Sequence, residues 1–505
     1  MGHPARSHAD VTLALATAVL TLSTSCAVGP NYARPPVVTP AAYKELDGWK
    51  VAQPEDQAPR GAWWEIFNDP QLSALEAQVS AANQTLAVAA ANYELARALA
   101  RGARAAYFPI VGLAAGATRS QAAGRPSAPS PLPKWDFLLS LDVAWLPDFW
   151  GRVRRAVESS RASAQASAGD LETSRLSLQA ELAQDYFLLR TLDAQTQLLE
   201  ASAAAYQKSL ELTQDRHRAG VASRVDVVQA ETQLKTTQAT AIDVGVQRAE
   251  LEHAIAVLTG EPPAGFSLPP APLPATTAPP AVPVGVPSHI LERRPDIAAA
   301  ERRMAAANAR IGVAVAAYFP VVALGASGGF ESSTDSKASE SAPSRWLTWP
   351  SRFWSVGPGI TEIVFDGGLR QSLTDQARAT YDASVSAYRQ TVLAAFQGVE
   401  DNLAALRILE EEARVQAEAV KAAQESVTLT TTQYKAGTVS YLNVITVQTI
   451  ELANELTAVR ILGRRMAAAV LLIEALGGGW SAASLPSAAD VTNGSWSARH
   501  SGEQR

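Results

Sequence analysis

The chain has 505 residues, 47% of them hydrophobic and 18% charged, with a formal net charge of −6 at pH 7. That balance excludes wholesale disorder, and with no basic run nothing points to a nucleic-acid partner. The single cysteine, Cys26, excludes an internal disulfide, and the six histidines are too scattered for a metal-ligand spacing.

Residues 1–25 read as a signal peptide. Arg6 supplies a positive n-region, and 11–22 is an apolar stretch too short to span a membrane. Ser23, Thr24 and Ser25 lead into Cys26, a placement that suits cleavage and acylation of that cysteine. Ser23 stands where a bacterial lipobox usually has Leu, so an ordinary cleaved signal with an incidental Cys is the alternative. No other stretch reaches the roughly 18 to 20 apolar residues of a spanning helix, so a membrane crossing here needs strands.

Residues 26–62 are Pro-rich and read as an extended arm. A first repeat covers 63–260. Helical signal starts at Trp63 and strengthens where Asp69 can serve as N-cap and Pro70 as N1. Leu72, Leu75, Val79, Leu86, Val88 and Leu95 then keep one stripe to about Arg104. A-A-Y-F-P at 105–109 breaks it, and a strand hairpin follows over about 107–146. In its second strand Phe137, Leu139, Leu141, Val143 and Trp145 alternate with Leu138, Ser140, Asp142 and Ala144. That pattern fits a membrane strand ending in an interfacial aromatic, and equally a soluble hairpin.

From Arg152 to Arg218 there is no proline, enough for a helix of about 100 Å. Leu171, Leu178, Leu192, Leu199 and Tyr206 fall on a track of sevens, with Asp185 its polar exception, as in a coiled coil. The run ends in a tip at about 216–228. Gly220 is placed as the left-handed C′ residue, Ser223 as the next N-cap, and Asp226 as its capping-box partner. A helix returns to about Thr259, and a Pro/Ala-rich linker covers 261–287.

The second repeat, 288–476, runs in the same order. Pro295 and Asp296 mark a helix start, which we favour over a ligand role for Arg293, Arg294 or Asp296. A-A-Y-F-P returns at 316–320, with strands over about 318–365, the first at 321–330 and the second at 352–365. The next proline-free run carries Val392, Val399, Leu406, Ala413, Val420, Val427 and Tyr434, and its tip at 433–445 holds Gly437, Ser440 and, as a weak box partner, Asn443. Residues 477–505 read as a mobile tail. Two matching repeats mean an internal duplication.

Four strands cannot close a barrel, and an open edge cannot sit in lipid. Chains must therefore pool strands: two would give a filled eight-stranded barrel, three a twelve-stranded one with a lumen. The expected fold is mainly α with membrane β. Four strands per chain join a transmembrane barrel, and the helical hairpins continue it as an α-helical barrel.

C-A-V-G-P-N-Y at 26–32, the paired A-A-Y-F-P segments, the two A-G-x-x-S tips and L-E-R-R-P-D-I at 291–297 together resemble the outer membrane factor family. These are the TolC-like exit ducts of tripartite efflux pumps, including the NodT-type lipoproteins. The resemblance covers about 26–476. It implies a homotrimer in the outer membrane reaching into the periplasm, which docks a periplasmic adaptor and an inner-membrane resistance-nodulation-division (RND) pump. It also places the gate and adaptor contact at the tips: Gly220, Arg224, Asp226, Tyr434, Gly437, Tyr441, Leu442, Asn443 and Thr446. Arg224, Asp226 and Tyr434 are expected to tie neighbouring helices. Many members carry tip carboxylates where this chain has Asn443 and Thr446, so its gate is expected to rest on hydrogen bonds and on Tyr441 and Leu442. No P-loop, G-x-S-x-G, H-E-x-x-H or convergent acid/base set occurs, so neither enzyme, cofactor nor metal is expected. The alternatives are a duct for a type I protein secretion system and a periplasmic coiled-coil scaffold lipoprotein.

Overall fold

The computed structural model describes residues 27–46, 61–121, 123, 133–335 and 346–493. The helices are α1 (Pro70–Ala82), α2 (Gln84–Ala105), α3 (Arg152–Arg218), α4 (Arg224–Leu258), α5 (Pro295–Ala316), α6 (Leu369–Lys435), α7 (Tyr441–Ala475) and α8 (Ala488–Asn493). The strands are β1 (Ile110–Ser120), β2 (Lys134–Trp145), β3 (Val321–Asp335) and β4 (Arg352–Thr361). Helices α3 and α6 have 67 residues each, about 100 Å. Their return partners α4 and α7 have 35 each.

The strands form one antiparallel sheet in the order β1-β2-β3-β4. Its register puts Leu113, Leu141, Gly328 and Trp354 in one row, and Gly112, Asp142, Ser327 and Ser355 in the next. The faces therefore segregate. Trp135, Phe137, Leu139, Leu141, Val143, Trp145, Trp354, Val356 and Ile360 share one; Asp136, Ser140, Asp142, Ser327, Ser333 and Ser355 share the other. Two strand ends differ from expectation. β3 continues to Asp335 because β2 supplies partners as far as Lys134. β4 stops at Thr361, opposite Val321, because the chain beyond Val321 turns at Pro320, which has no N–H to give. Parts of both interstrand loops lie outside the described residues.

The first helical stripe is interrupted at Asn83, whose side chain serves two helices. Its Oδ1 accepts the Leu86 N–H at 2.9 Å as the N-cap of α2, and its Nδ2 donates to the Leu258 carbonyl at 2.9 Å. The end of α4 thus abuts the start of α2, negative dipole end against positive. The break also rephases the stripe, so Leu72, Leu75, Val79 and Leu86 are buried while Val88 and Leu95 are exposed. The second repeat builds the same splice with different residues. Arg294, held by Asp296 at 2.7 and 3.0 Å, donates to the Ala475 carbonyl at 2.8 Å and joins α7 to α5. Gly477 closes this joint: its φ is +96°, and a Cβ there would lie 2.0 Å from the Arg293 carbonyl oxygen. Gly477→Ala is expected to cost more than about 2 kcal/mol, read as a lowered thermal midpoint.

Two composite helices, α2 with α4 and α5 with α7, therefore run beside the two long ones. Neighbours are ordered α2-α3-α5-α6 nearer the sheet and α4-α3-α7-α6 nearer the tips. The main core lies around the splices, where Trp63, Leu72, Leu182, Ile255, Ile297, Met304, Tyr388 and Val399 pack together. Asp185, the break in the heptad track, is pushed up to about 6 by burial and by neighbouring Glu181. The arm is strapped along the helices. Val28 N–H donates to the Trp150 carbonyl, Tyr32 to Glu301, Arg34 to the Tyr388 hydroxyl, and the Lys44 and Glu45 amides to the Glu400 carboxylate.

The C-terminal segment is not a loose tail as far as it is described. α8 seats a fully buried Val491 against Ala100 and Ala164, and Gln165 donates to the Pro486 carbonyl at 2.9 Å. Small side chains on α2 and α3 leave a flat seat, which no periodicity in the segment itself announces. Residues 494–505 lie outside the described residues.

Candidate functional site at the helix tips

The two tips share one backbone design. Gly220 and Gly437 have φ of +76° and +77°, with open space where a Cβ would stand, so conformation rather than crowding requires glycine. The next amide closes each helix end: Val221 N–H to the Arg216 carbonyl at 2.9 Å, and Thr438 N–H to the Gln433 carbonyl at 3.0 Å. The restarts differ. Ser223 and Asp226 form a complete capping box, whereas Ser440 makes no side-chain cap and Asn443 offers its backbone N–H to the Ser440 carbonyl.

Between the hairpins lies a separate small core. Tyr206 and Leu210 of α3, Val227, Ala230 and Leu234 of α4, Tyr434 at the end of α6, and Tyr441 and Val444 of α7 are all buried there. The Tyr434 and Tyr441 rings are 5.3 Å apart, and the Arg216 guanidinium lies 4.8 Å from the Tyr434 ring centre. Tyr206 donates to the Gln448 carbonyl at 3.2 Å and Arg216 to the Lys435 carbonyl at 3.3 Å. Burial pushes the Tyr441 hydroxyl up to about 12. The two hairpins of one chain are thus bound to each other, first by apolar area and then by two side-chain-to-backbone bonds.

Within one copy the tip residues divide between core and surface. Asp226 accepts from Ser223 through one carboxylate oxygen, at 2.8 Å from the amide and 2.9 Å from the hydroxyl, as the capping box requires. Arg224 is exposed. Tyr434 does join the hairpins, but through its ring; its hydroxyl has no partner among the described residues. Tyr441 is 2% exposed and faces α3, so it is core rather than a free gate surface. Leu442, Asn443 and Thr446 are exposed, with Thr446 bonded to its own helix at the Leu442 carbonyl. Arg216 and Gln448 were not singled out; their roles depend on partners more than 200 residues away, since Arg216 meets Lys435 and Gln448 meets Tyr206. Cys26 lies outside the described residues. Asp226→Ala is expected to lose about 1 kcal/mol of capping, read as roughly fivefold faster amide exchange in the first turn of α4.

Among the described residues no helix is long and apolar enough to cross a membrane, and no group of three or more His, Cys, Asp or Glu could hold a metal. A sheet with one apolar, Trp-bordered face at the far end of long helical hairpins is the arrangement of a membrane β-domain.

The family model for the outer membrane efflux protein matches residues 75–261 and 286–478, one block per repeat. The chain belongs to that family. A solvent efflux pump outer membrane protein, SrpC of Pseudomonas putida, is 31% identical over 424 residues, 83% of this chain and 87% of that one. Nodulation protein T of Rhizobium leguminosarum bv. trifolii is 30% identical over 436 residues, covering 85% and 89%. The solved structure of the outer-membrane channel OprN superposes with a TM-score of 0.82 at 30% identity, covering 90% of this chain and all of that one. This chain is accordingly an outer-membrane channel that serves as the duct of an efflux pump. Other relatives are named as outer membrane proteins of efflux pumps or of pyoverdine export.

Proposed function

We propose that three copies of this chain close a passive exit duct. It runs from the periplasm to the exterior, carries drugs or other small toxic compounds, is shut at the helix tips, and performs no catalysis. The carrying observation is the sheet order: β1 and β4 are both edges, each with a partner on one side only. Pairing β4 of one copy with β1 of the next leaves no edge after three copies. The helices agree. α2 at one end of the row exposes Val88, Leu95 and Leu99, and α6 at the other exposes Leu373, Leu393 and Ile408. Large apolar side chains exposed along both outer helices suit burial between copies. The division remains that of the sequence: signal 1–25, acylated arm from Cys26, repeats 63–260 and 288–476.

At the tips, Gly220 and Gly437 turn the chain, Tyr434 and Tyr441 hold one copy's hairpins together, and Arg224, Leu442, Asn443 and Thr446 face the neighbouring copies and a periplasmic adaptor. That adaptor connects the duct to an inner-membrane RND pump. Leu442, exposed beside the buried Tyr441, is the place from which to crosslink the adaptor.

The mass of detergent-solubilised protein tests the ring: three copies are expected, and a monodisperse monomer would refute it. Loss of the chain should sensitise its host to small apolar drugs. Unchanged drug sensitivity with loss of a secreted protein would reassign the duct to protein export.

A further inference from the structure

At Asn443 and Thr446 the tip carries no charge, which turns attention to the barrel as a place where charged solutes are sorted. The sheet supplies a place. Three successive cross-strand rows on its polar face are Ile110, Ala144, Gly325 and Gly357; Gly112, Asp142, Ser327 and Ser355; and Ala114, Ser140, Gly329 and Phe353. Asp142 is the one charged side chain in these rows, and its own row is otherwise glycine and serine. It is also held in place. Ser140 donates to one carboxylate oxygen at 2.7 Å and Ser327, on the neighbouring strand, to the other at 2.6 Å. Ser140 is itself 3% exposed, so this clamp is built into the wall rather than left to solvent.

Among the described residues no cation is paired with it. Lys134, on the same face of β2, is eight residues away, about 27 Å along a strand. That is several Debye lengths at physiological salt, and Lys134 already pairs with Asp136 at 3.2 Å.

We propose that Asp142, fixed by Ser140 and Ser327, is the residue by which the barrel bore favours cationic over anionic solutes. This rests on the three-copy ring proposed above, in which the polar face lines the bore. Three carboxylates then stand at one height, in a passage whose low-dielectric wall concentrates their field.

The test is the reversal potential of the full-length channel in planar bilayers under a tenfold KCl gradient. The wild type is expected to favour potassium. Asp142→Asn is expected to bring the reversal potential at least halfway to zero, and Asp142→Glu to keep it. Because Asp142→Asn also disturbs the serine clamp, Gly112→Lys serves as a second variant. It places a cation in the same row, where a side chain meets nothing within 4 Å, and should abolish the preference with the clamp intact. A conducting Asp142→Asn channel with the wild-type reversal potential, or a wild type without cation preference, overturns the assignment alone. A protein of monomeric mass that forms no channel overturns the ring and the assignment together.

Discussion

Glu76→Gln is expected to stabilise the folded protein at neutral pH by about 3 kcal/mol and to flatten its pH dependence. Glu76 sits on α1 with no exposed surface, and neither carboxylate oxygen has a hydrogen-bond partner among the described residues. Burial pushes its carboxyl up to about 9, so in the fold it is a neutral acid at pH 7. The unfolded chain releases that proton near the ordinary glutamate value of about 4.3. The contribution of Glu76 is therefore fully present below that value and drains away as pH rises through the interval up to the folded value. At roughly 1.4 kcal/mol per pH unit, two to three units of that interval have passed by pH 7. Glutamine has a similar shape and no proton to lose. Unfolding followed by circular dichroism between pH 5 and 9 should show wild-type stability falling toward high pH and the variant level. Parallel curves would mean that water or a partner reaches the carboxylate.

Glu76 also marks what the sequence does not disclose. Helical spacing puts it beside Leu72, Leu75 and Val79, and a glutamate there reads as the polar edge of an amphipathic helix. Its burial is imposed by the helices packed over α1. The same limit hid the splices. Asn83 carries no breaker signal, and its second bond goes to Leu258, 175 residues away. Arg294 reads as part of a helix start, yet its guanidinium caps a helix that ends at Ala475. Features written in local chemistry were legible. A glycine that must adopt positive φ, a serine three residues before an aspartate, strand alternation and a track of sevens each depend on neighbours along the chain. They located both tips and both hairpins. Nonlocal features were not legible: which face of Tyr441 would be covered, and how alanines on α2 and α3 would seat the segment around Val491. The uncharged Asn443 and Thr446 were visible as a departure from the family pattern. The register that puts Asp142 alone among small residues needed the sheet.

Tyr441→Ala is expected to loosen the tips, because Tyr441 occupies the middle of the only buried cluster at that end among the described residues. Removing a buried aromatic costs about 3 to 5 kcal/mol. Around it the walls are thin: between Leu409 and Tyr434 the sole buried residue of α6 is Ala423, and between Gln448 and Ile461 α7 has none. No neighbouring layer within the chain can absorb that loss, so the two hairpins of one copy should separate, and the resting conductance of single channels should rise. Two comparisons isolate the cause. Leu442→Ala removes an exposed side chain one position on and should change stability by less than about 0.5 kcal/mol. Tyr434→Phe removes a hydroxyl without a partner among the described residues and should leave the gate shut, because that tyrosine works through its ring against Arg216 and Tyr441. A Tyr441→Ala channel with wild-type resting conductance would show that closure is carried between copies rather than by the tyrosines that bind one copy's hairpins. The effect of Leu442→Ala on conductance would then become the larger of the two.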